Sequence, residues 1–176
     1  MKPVFVPAHK VLCLNQVRQE AGHKISAIVF DGFGTLVRIG QRTNPYSALF
    51  REGRRQGLAV SPDSTHFAMT ANLSFDQVAD HLGIELSSSK RAEMNDALGK
   101  ELASIEPYPD ALEAIDQLLQ AGVAIGICSN LAQPYGPAIR KVFPHVQCHA
   151  FSFELGVMKP DPRIYLSICR ELGGGG

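Results

Sequence analysis

A chain of 176 residues, 45% of them hydrophobic, has the size of one domain with room for an insert and enough apolar material for a core. Lys plus Arg equals Asp plus Glu at 17 each, which argues against a nucleic-acid-binding surface and against an acidic, disordered chain. The opening MKPVFVPAHKVLCLNQVRQEAGHK lacks the apolar core and cleavage site of a signal peptide, and no run approaches ~18 apolar residues, so a soluble, cytoplasmic protein without a membrane partner is expected. Cys13, Cys128, Cys148 and Cys169 form no C-x-x-C pair, which disfavours zinc ribbons and thioredoxin-like redox sites. The six histidines show no ligand spacing.

Residues 1–24 read as an arm with a short helix over about Val11–Gln19. Ile25 to Phe30 is an apolar, β-branched run that reads as a buried parallel strand. It stops at Asp31, followed by Gly32-Phe33-Gly34-Thr35-Leu36. Val37-Arg38-Ile39-Gly40 alternates briefly and predicts a small hairpin flap. Asn44 before Pro45 predicts an N-cap and first helical residue, with Gly57 as the stop. Ser61-Pro62-Asp63 opens a second helix, and Ser74-Phe75-Asp76-Gln77 is a capping box for a third, closed by Leu82-Gly83. Ser89 to Ser104 predicts a fourth, with Ala92, Met94, Leu98, Leu102 and Ile105 along one face. Residues 41–106 thus read as an all-helical insert. An α/β rhythm resumes: a helix capped by Asp110 and ended by Gly122, a strand Val123–Cys128, a helix near Pro137–Phe143, a strand Cys148–Phe153, and a helix from Asp161-Pro162 to Leu172. The glycine run 173–176 reads as flexible.

Strands alternating with helices predict a doubly wound parallel sheet, whose ligands gather at the strands' C-terminal ends. Asp31, Ser129-Asn130 and Lys159 all fall at such ends. Each has a plainer reading taken singly: a turn residue, a helix cap and a surface lysine. Together, a carboxylate, a hydroxyl and an ammonium make a site for processing a small anionic substrate. Asp31 could attack an electrophilic centre. Lys159 would neutralise substrate charge and keep Asp31 ionised. Ser129 and the amides after strand one would hold substrate oxygens.

The segments Asp31-x-x-Gly34-Thr35-Leu36, Ser129-Asn130 and Lys159-Pro160-Asp161-Pro162 resemble the first three motifs of the haloacid dehalogenase (HAD) superfamily of hydrolases, in order and spacing, over residues 25–172. The resemblance implies a Rossmann-like HAD core over 25–40 and 107–176, a helical cap over 41–106, and a covalent aspartyl intermediate. It implies Asp31 as nucleophile, Thr35 as its support, Ser129 as substrate-oxygen ligand and Lys159 as charge stabiliser. Gly32, Phe33, Asn130, Tyr165 and Arg42 are the further substrate-contact candidates. Arg38 and Arg51 stand beside Arg42 as choices for a cap arginine that binds a substrate carboxylate.

Two departures bear on chemistry. Phosphatases of the superfamily carry a second aspartate two residues after the nucleophile, as general acid. Phe33 stands there instead and cannot transfer a proton. This is similar to the dehalogenase branch, whose halide leaves unprotonated, and Tyr165 agrees with that branch. The superfamily also implies magnesium held by Asp31, the residue-33 carbonyl and an acidic fourth motif after a further strand. No such motif comes after Lys159, which argues against magnesium and leaves strand one as an open sheet edge. A homodimer is one expected cover for that edge. A 2-haloacid dehalogenase is therefore slightly favoured. A phosphatase for a small phosphate ester is the alternative, and a degenerate or truncated member with a binding role is a second.

Overall fold

The computed structural model describes residues 25–173. The expected helix at Val11–Gln19, Cys13 and residues 174–176 lie outside them. A three-stranded parallel sheet runs in the order β1–β4–β5, with β1 at Ala27–Phe30, β4 at Ala124–Ser129 and β5 at Cys148–Phe151. A second, antiparallel pair joins β2 (Val37–Ile39) to β3 (Ile105–Pro107).

The alternation of a strand decides what packs where. Along β4, Ile125 and Ile127 enter the main apolar core with Ile115, Leu118 and Ile139, while Cys128 joins Ala150, Ile164 and Ile168 on the opposite face. The first group brings α5 (Pro109–Gln120) and α6 (Gly136–Val142) to one side of the sheet. The second brings α8 (Pro162–Gly173) to the other. Gly126 is what lets α8 approach, because a Cβ there would lie 2.7 Å from Cδ1 of Ile168. The fold is thus α/β with helices on both faces, as expected. Among the described residues β1 pairs only with β4, so it forms the sheet edge.

Four helices fill the stretch between β2 and β3: α1 (Pro45–Arg55), α2 (Pro62–Thr70), α3 (Phe75–His81) and α4 (Ser88–Ala103). Ser61 caps α2 and exchanges reciprocal bonds with Ser64, and Ser74 does the same with Gln77 at the start of α3. Phe75, Val78, Leu49, Ile84, Met94 and Leu98 bury the apolar faces. Among the described residues no helix is long and apolar enough to cross a membrane.

Four local expectations are corrected. Val37–Ile39 does not close a hairpin flap on itself. Its partner is Ile105–Pro107, so the two connections to the helices run side by side as a stem, and Ile105 belongs to that stem rather than to the helix face. Asn44 occupies the N-cap position of α1 but does not cap it: it is left-handed (φ 53°) and its side chain makes no cap bond. The helix after the stem starts at Pro109, with Tyr108 in the N-cap position instead of Asp110. The strand from Cys148 ends at Phe151, because Ser152 starts the single-turn helix α7 (Ser152–Leu155). The buried Ser152 hydroxyl donates to the Met69 carbonyl at 2.6 Å and accepts from the Leu131 amide at 2.9 Å, bonds that a continued strand would forfeit.

Candidate active site

β1 and β4 are adjacent and parallel, so Asp31, one residue past β1, and Ser129, last in β4, share one end of the sheet. The chain after α7 returns Lys159 to the same place. Its ammonium lies 2.7 Å from Oδ1 of Asp31 and donates to the Cys128 carbonyl at 3.0 Å. Asn130 fixes that lysine from behind. Its Oδ1 accepts from the Lys159 amide at 2.7 Å and its Nδ2 donates to the Lys159 carbonyl at 3.0 Å. The Lys159–Pro160 peptide is cis.

Oδ1 of Asp31 also accepts from the Gly32 amide at 2.7 Å and lies 3.4 Å from the Ser129 hydroxyl. Lys159, Gly32 and Ser129 all meet the carboxylate at this one oxygen, so among the described residues Oδ2 is free to meet another molecule. The Asp31 side chain is 42% exposed and that of Lys159 21%, so the pair is reachable. Gly32 is required here: a Cβ would fall 2.9 Å from Oγ of Ser129 and 3.1 Å from Cδ1 of Ile139. The loop turns because the Leu36 and Val37 amides donate to the Gly32 carbonyl at 2.8 and 3.1 Å, with Gly34 at φ 82°. The Thr35 amide donates to the same carbonyl at 3.3 Å. Desolvation pushes the buried Cys128 thiol up to about 11, against the pull of the Lys159 charge, so it stays protonated.

The remaining predicted residues are spread out. Phe33 meets Tyr135 edge-on, ring centroids 5.8 Å apart. Tyr165 packs with the α8 cluster on the opposite face of the sheet from Ile127. Arg38 is bound to Glu106 across the stem at 2.8 Å, Arg51 lines a groove between α1 and α4, and Arg42 is exposed just past the stem.

Three residues near this end were not singled out from sequence: Tyr46, Glu101 and Tyr135. Tyr46 packs on Phe75 (5.0 Å), Phe50 (6.2 Å) and Tyr135 (6.4 Å). Burial pushes its phenol well above the usual tyrosine value, and its hydroxyl is sealed from solvent with no hydrogen-bond partner among the described residues. An unmet buried hydroxyl costs stability, so Tyr46→Phe is expected to raise the unfolding free energy by about 1 kcal/mol in urea denaturation. A loss of that size would mean that the hydroxyl is satisfied in solution. Glu101 is a carboxylate on the apolar face of α4, 4% exposed. Its signal is an acid three residues after Leu98 on the face that Met94 shares, a face that excludes Ala92, which was expected on it and is exposed.

Known proteins resemble this chain in sequence and fold. The haloacid dehalogenase-like hydrolase family matches residues 25–176, and the chain belongs to it. It is 29% identical over 168 residues to the (S)-2-haloacid dehalogenase 4A of Burkholderia cepacia, covering 85% of this chain and 70% of that one. It is 33% identical over 76 residues to the glyceraldehyde 3-phosphate phosphatase of Methanopyrus kandleri, covering 42% of this chain and 33% of that protein. Among solved structures, a HAD family enzyme from Bacteroides thetaiotaomicron superposes with a TM-score of 0.60 at 14% identity, over 86% of this chain and 80% of its own. A dehalogenase crystal structure superposes with a TM-score of 0.50 at 25% identity, over 85% and 72%. The chain is thus a member of a hydrolase family, and its relatives include both dehalogenases and phosphatases.

The Bacteroides enzyme is also known as a magnesium complex. Here Asp31 is the carboxylate at the strand ends, an ammonium holds its Oδ1, and among the described residues no three His, Cys, Asp or Glu side chains cluster to hold a metal ion. Magnesium takes one or two carboxylates with water and other oxygens, so Asp31 is a partial donor set for it.

Proposed function

We propose that the chain hydrolyses a small anionic substrate through Asp31 by displacement at carbon, as a 2-haloacid dehalogenase does. The observation that carries this reading is the Lys159–Asp31–Ser129 cluster with a free Oδ2. In the first step Oδ2 attacks the carbon that bears the halogen. A C–O bond forms as the C–X bond breaks, and halide leaves with the bonding pair. Water then adds to the acyl carbon of the resulting ester. The bond from the acyl carbon to Oδ2 breaks, Oδ2 leaves as the product hydroxyl, a proton goes to solvent, and the carboxylate is restored with an oxygen from water. Lys159 offsets negative charge throughout, the Gly32 amide holds Oδ1 of Asp31, and Ser129 can hold an oxygen of the substrate. Thr35 supports the turn that carries the nucleophile.

Phe33 favours this chemistry over phosphate-ester hydrolysis, because halide needs no proton and an alkoxide does. The helices of the insert act as a cap, and Arg42, exposed just past the stem, is the cation chosen to meet a substrate carboxylate, since Arg38 is paired with Glu106. The second reading, a phosphatase, is supported by the Methanopyrus relative. A panel of 2-chloropropionate and p-nitrophenyl phosphate, each with and without magnesium, separates the two. Chloride release without added metal is expected, and phosphate release with no chloride would contradict the assignment.

A further inference from the structure

A buried carboxylate at the C-terminal end of a helix is doubly unfavourable, since it loses water and faces the negative end of the dipole. Glu101 is such a group, in the last turn of α4. Three short bonds offset the cost. Oε2 accepts from the Thr43 and Asn44 amides, each at 2.7 Å, and Oε1 accepts from the Tyr135 hydroxyl at 2.7 Å. The Thr43 hydroxyl also lies 3.1 Å from Oε2, but the Ala97 carbonyl, at 2.8 Å, is the nearer acceptor for its proton. Burial pushes the carboxyl up, yet the bonds from Tyr135, Asn44 and Thr43 outweigh it and hold Glu101 below its ordinary value.

What these bonds join matters more than their number. Thr43–Asn44 leads into the helical segment, Glu101 leads out of it, and Tyr135 belongs to the turn after β4 and Ser129. The Tyr135 ring in turn meets the edge of Phe33, two residues past Asp31. Behind the turn, Gly136 lets the chain lie against Phe153, where a Cβ would fall 2.8 Å from the ring. One carboxylate thus ties both ends of the insert to a ring that touches the nucleophile loop.

We propose that Glu101 and Tyr135 are a positioning pair that seats the helical segment on the strand ends and holds Phe33, and with it the Asp31 loop, in register. The proposal rests on the reading of Asp31 as the reacting carboxylate. The pair touches no reacting atom. It acts on the geometry of attack, where small displacements are costly.

The test uses Glu101→Gln, Tyr135→Phe and the double variant of the full chain, with 2-chloropropionate as probe. Each single change is expected to lower kcat about tenfold with little change in KM, because geometry is lost while ground-state binding is kept. The double variant should be no worse than the worse single one, as for two residues acting as a unit. A readout without substrate is hydrogen exchange at the Gly34 and Leu36 amides, whose bonds close the Asp31 loop. Both should exchange several-fold faster in Tyr135→Phe, while the β4 amides stay as protected as in the parent. Parental turnover by Tyr135→Phe, additive losses, or unchanged exchange at Gly34 and Leu36 would each overturn the proposal. Asp31→Asn in the same assay keeps the two readings apart. Turnover that survives it refutes Asp31 as the reacting group, whereas the exchange result bears on the pair alone.

Discussion

Asp31→Asn is expected to remove turnover, by at least about 10⁴-fold, while the protein still folds. The amide has nearly the shape of the carboxylate, so the Gly32 amide can still donate to its oxygen, as it does at 2.7 Å in the parent. It has no anionic oxygen to form a bond to carbon. The fold should tolerate the change because the Lys159–Asp31 pair is partly open to solvent, with side chains 21% and 42% exposed. Partly exposed ion pairs contribute at most about 1 kcal/mol. A thermal melt within a few degrees of the parent, beside absent halide release, is the expected pair of results. Full activity in the purified variant would rule out Asp31 as nucleophile.

Lys159→Ala is expected to lower kcat/KM by at least about 10²-fold, a typical loss for a preorganised electrostatic donor. The ammonium is held from two directions, by Oδ1 of Asp31 and the Cys128 carbonyl, and its backbone is clamped by Asn130. It therefore stands in place before substrate arrives. Lys159→Arg should recover little of the loss, because a planar guanidinium cannot occupy a site sized for a point charge. Steady-state kinetics on 2-chloropropionate check both variants. An arginine variant near the parental rate would reduce the role of Lys159 to net charge.

The parts of the site that lie at strand ends were legible because apolar runs announce buried strands, and a parallel sheet brings the residues just past those runs to one edge. Asp31 and Ser129 fit that pattern, and Lys159 returns to the same edge after α7. The capping box at Ser74 was legible for a similar reason, since its bonds join residues three apart. The stem escaped notice because its strands have three residues each and pair across 66 to 70 positions, with no local signal for the partner. Asn44 misled because the Asn-Pro pair matches a cap, while a carboxylate 57 positions away takes its amide. Ser152 misled because Phe153 suits a strand as well as a helix, and the bonds to Met69 and Leu131, distant in sequence, separate them. Tyr135 carried no signal, since its role depends on Glu101 and Phe33 meeting it from distant parts of the chain.

The covalent route through Asp31 can be traced by isotope. A single turnover with enzyme in excess over 2-chloropropionate, run in water enriched in oxygen-18, is digested and the peptide bearing Asp31 is weighed. Attack by Oδ2 on carbon, then by water at the acyl carbon, places one heavy oxygen in Asp31 and leaves the product hydroxyl with ordinary oxygen. Heavy oxygen in the product and none in Asp31 would contradict the account, since water would then have displaced the halide directly.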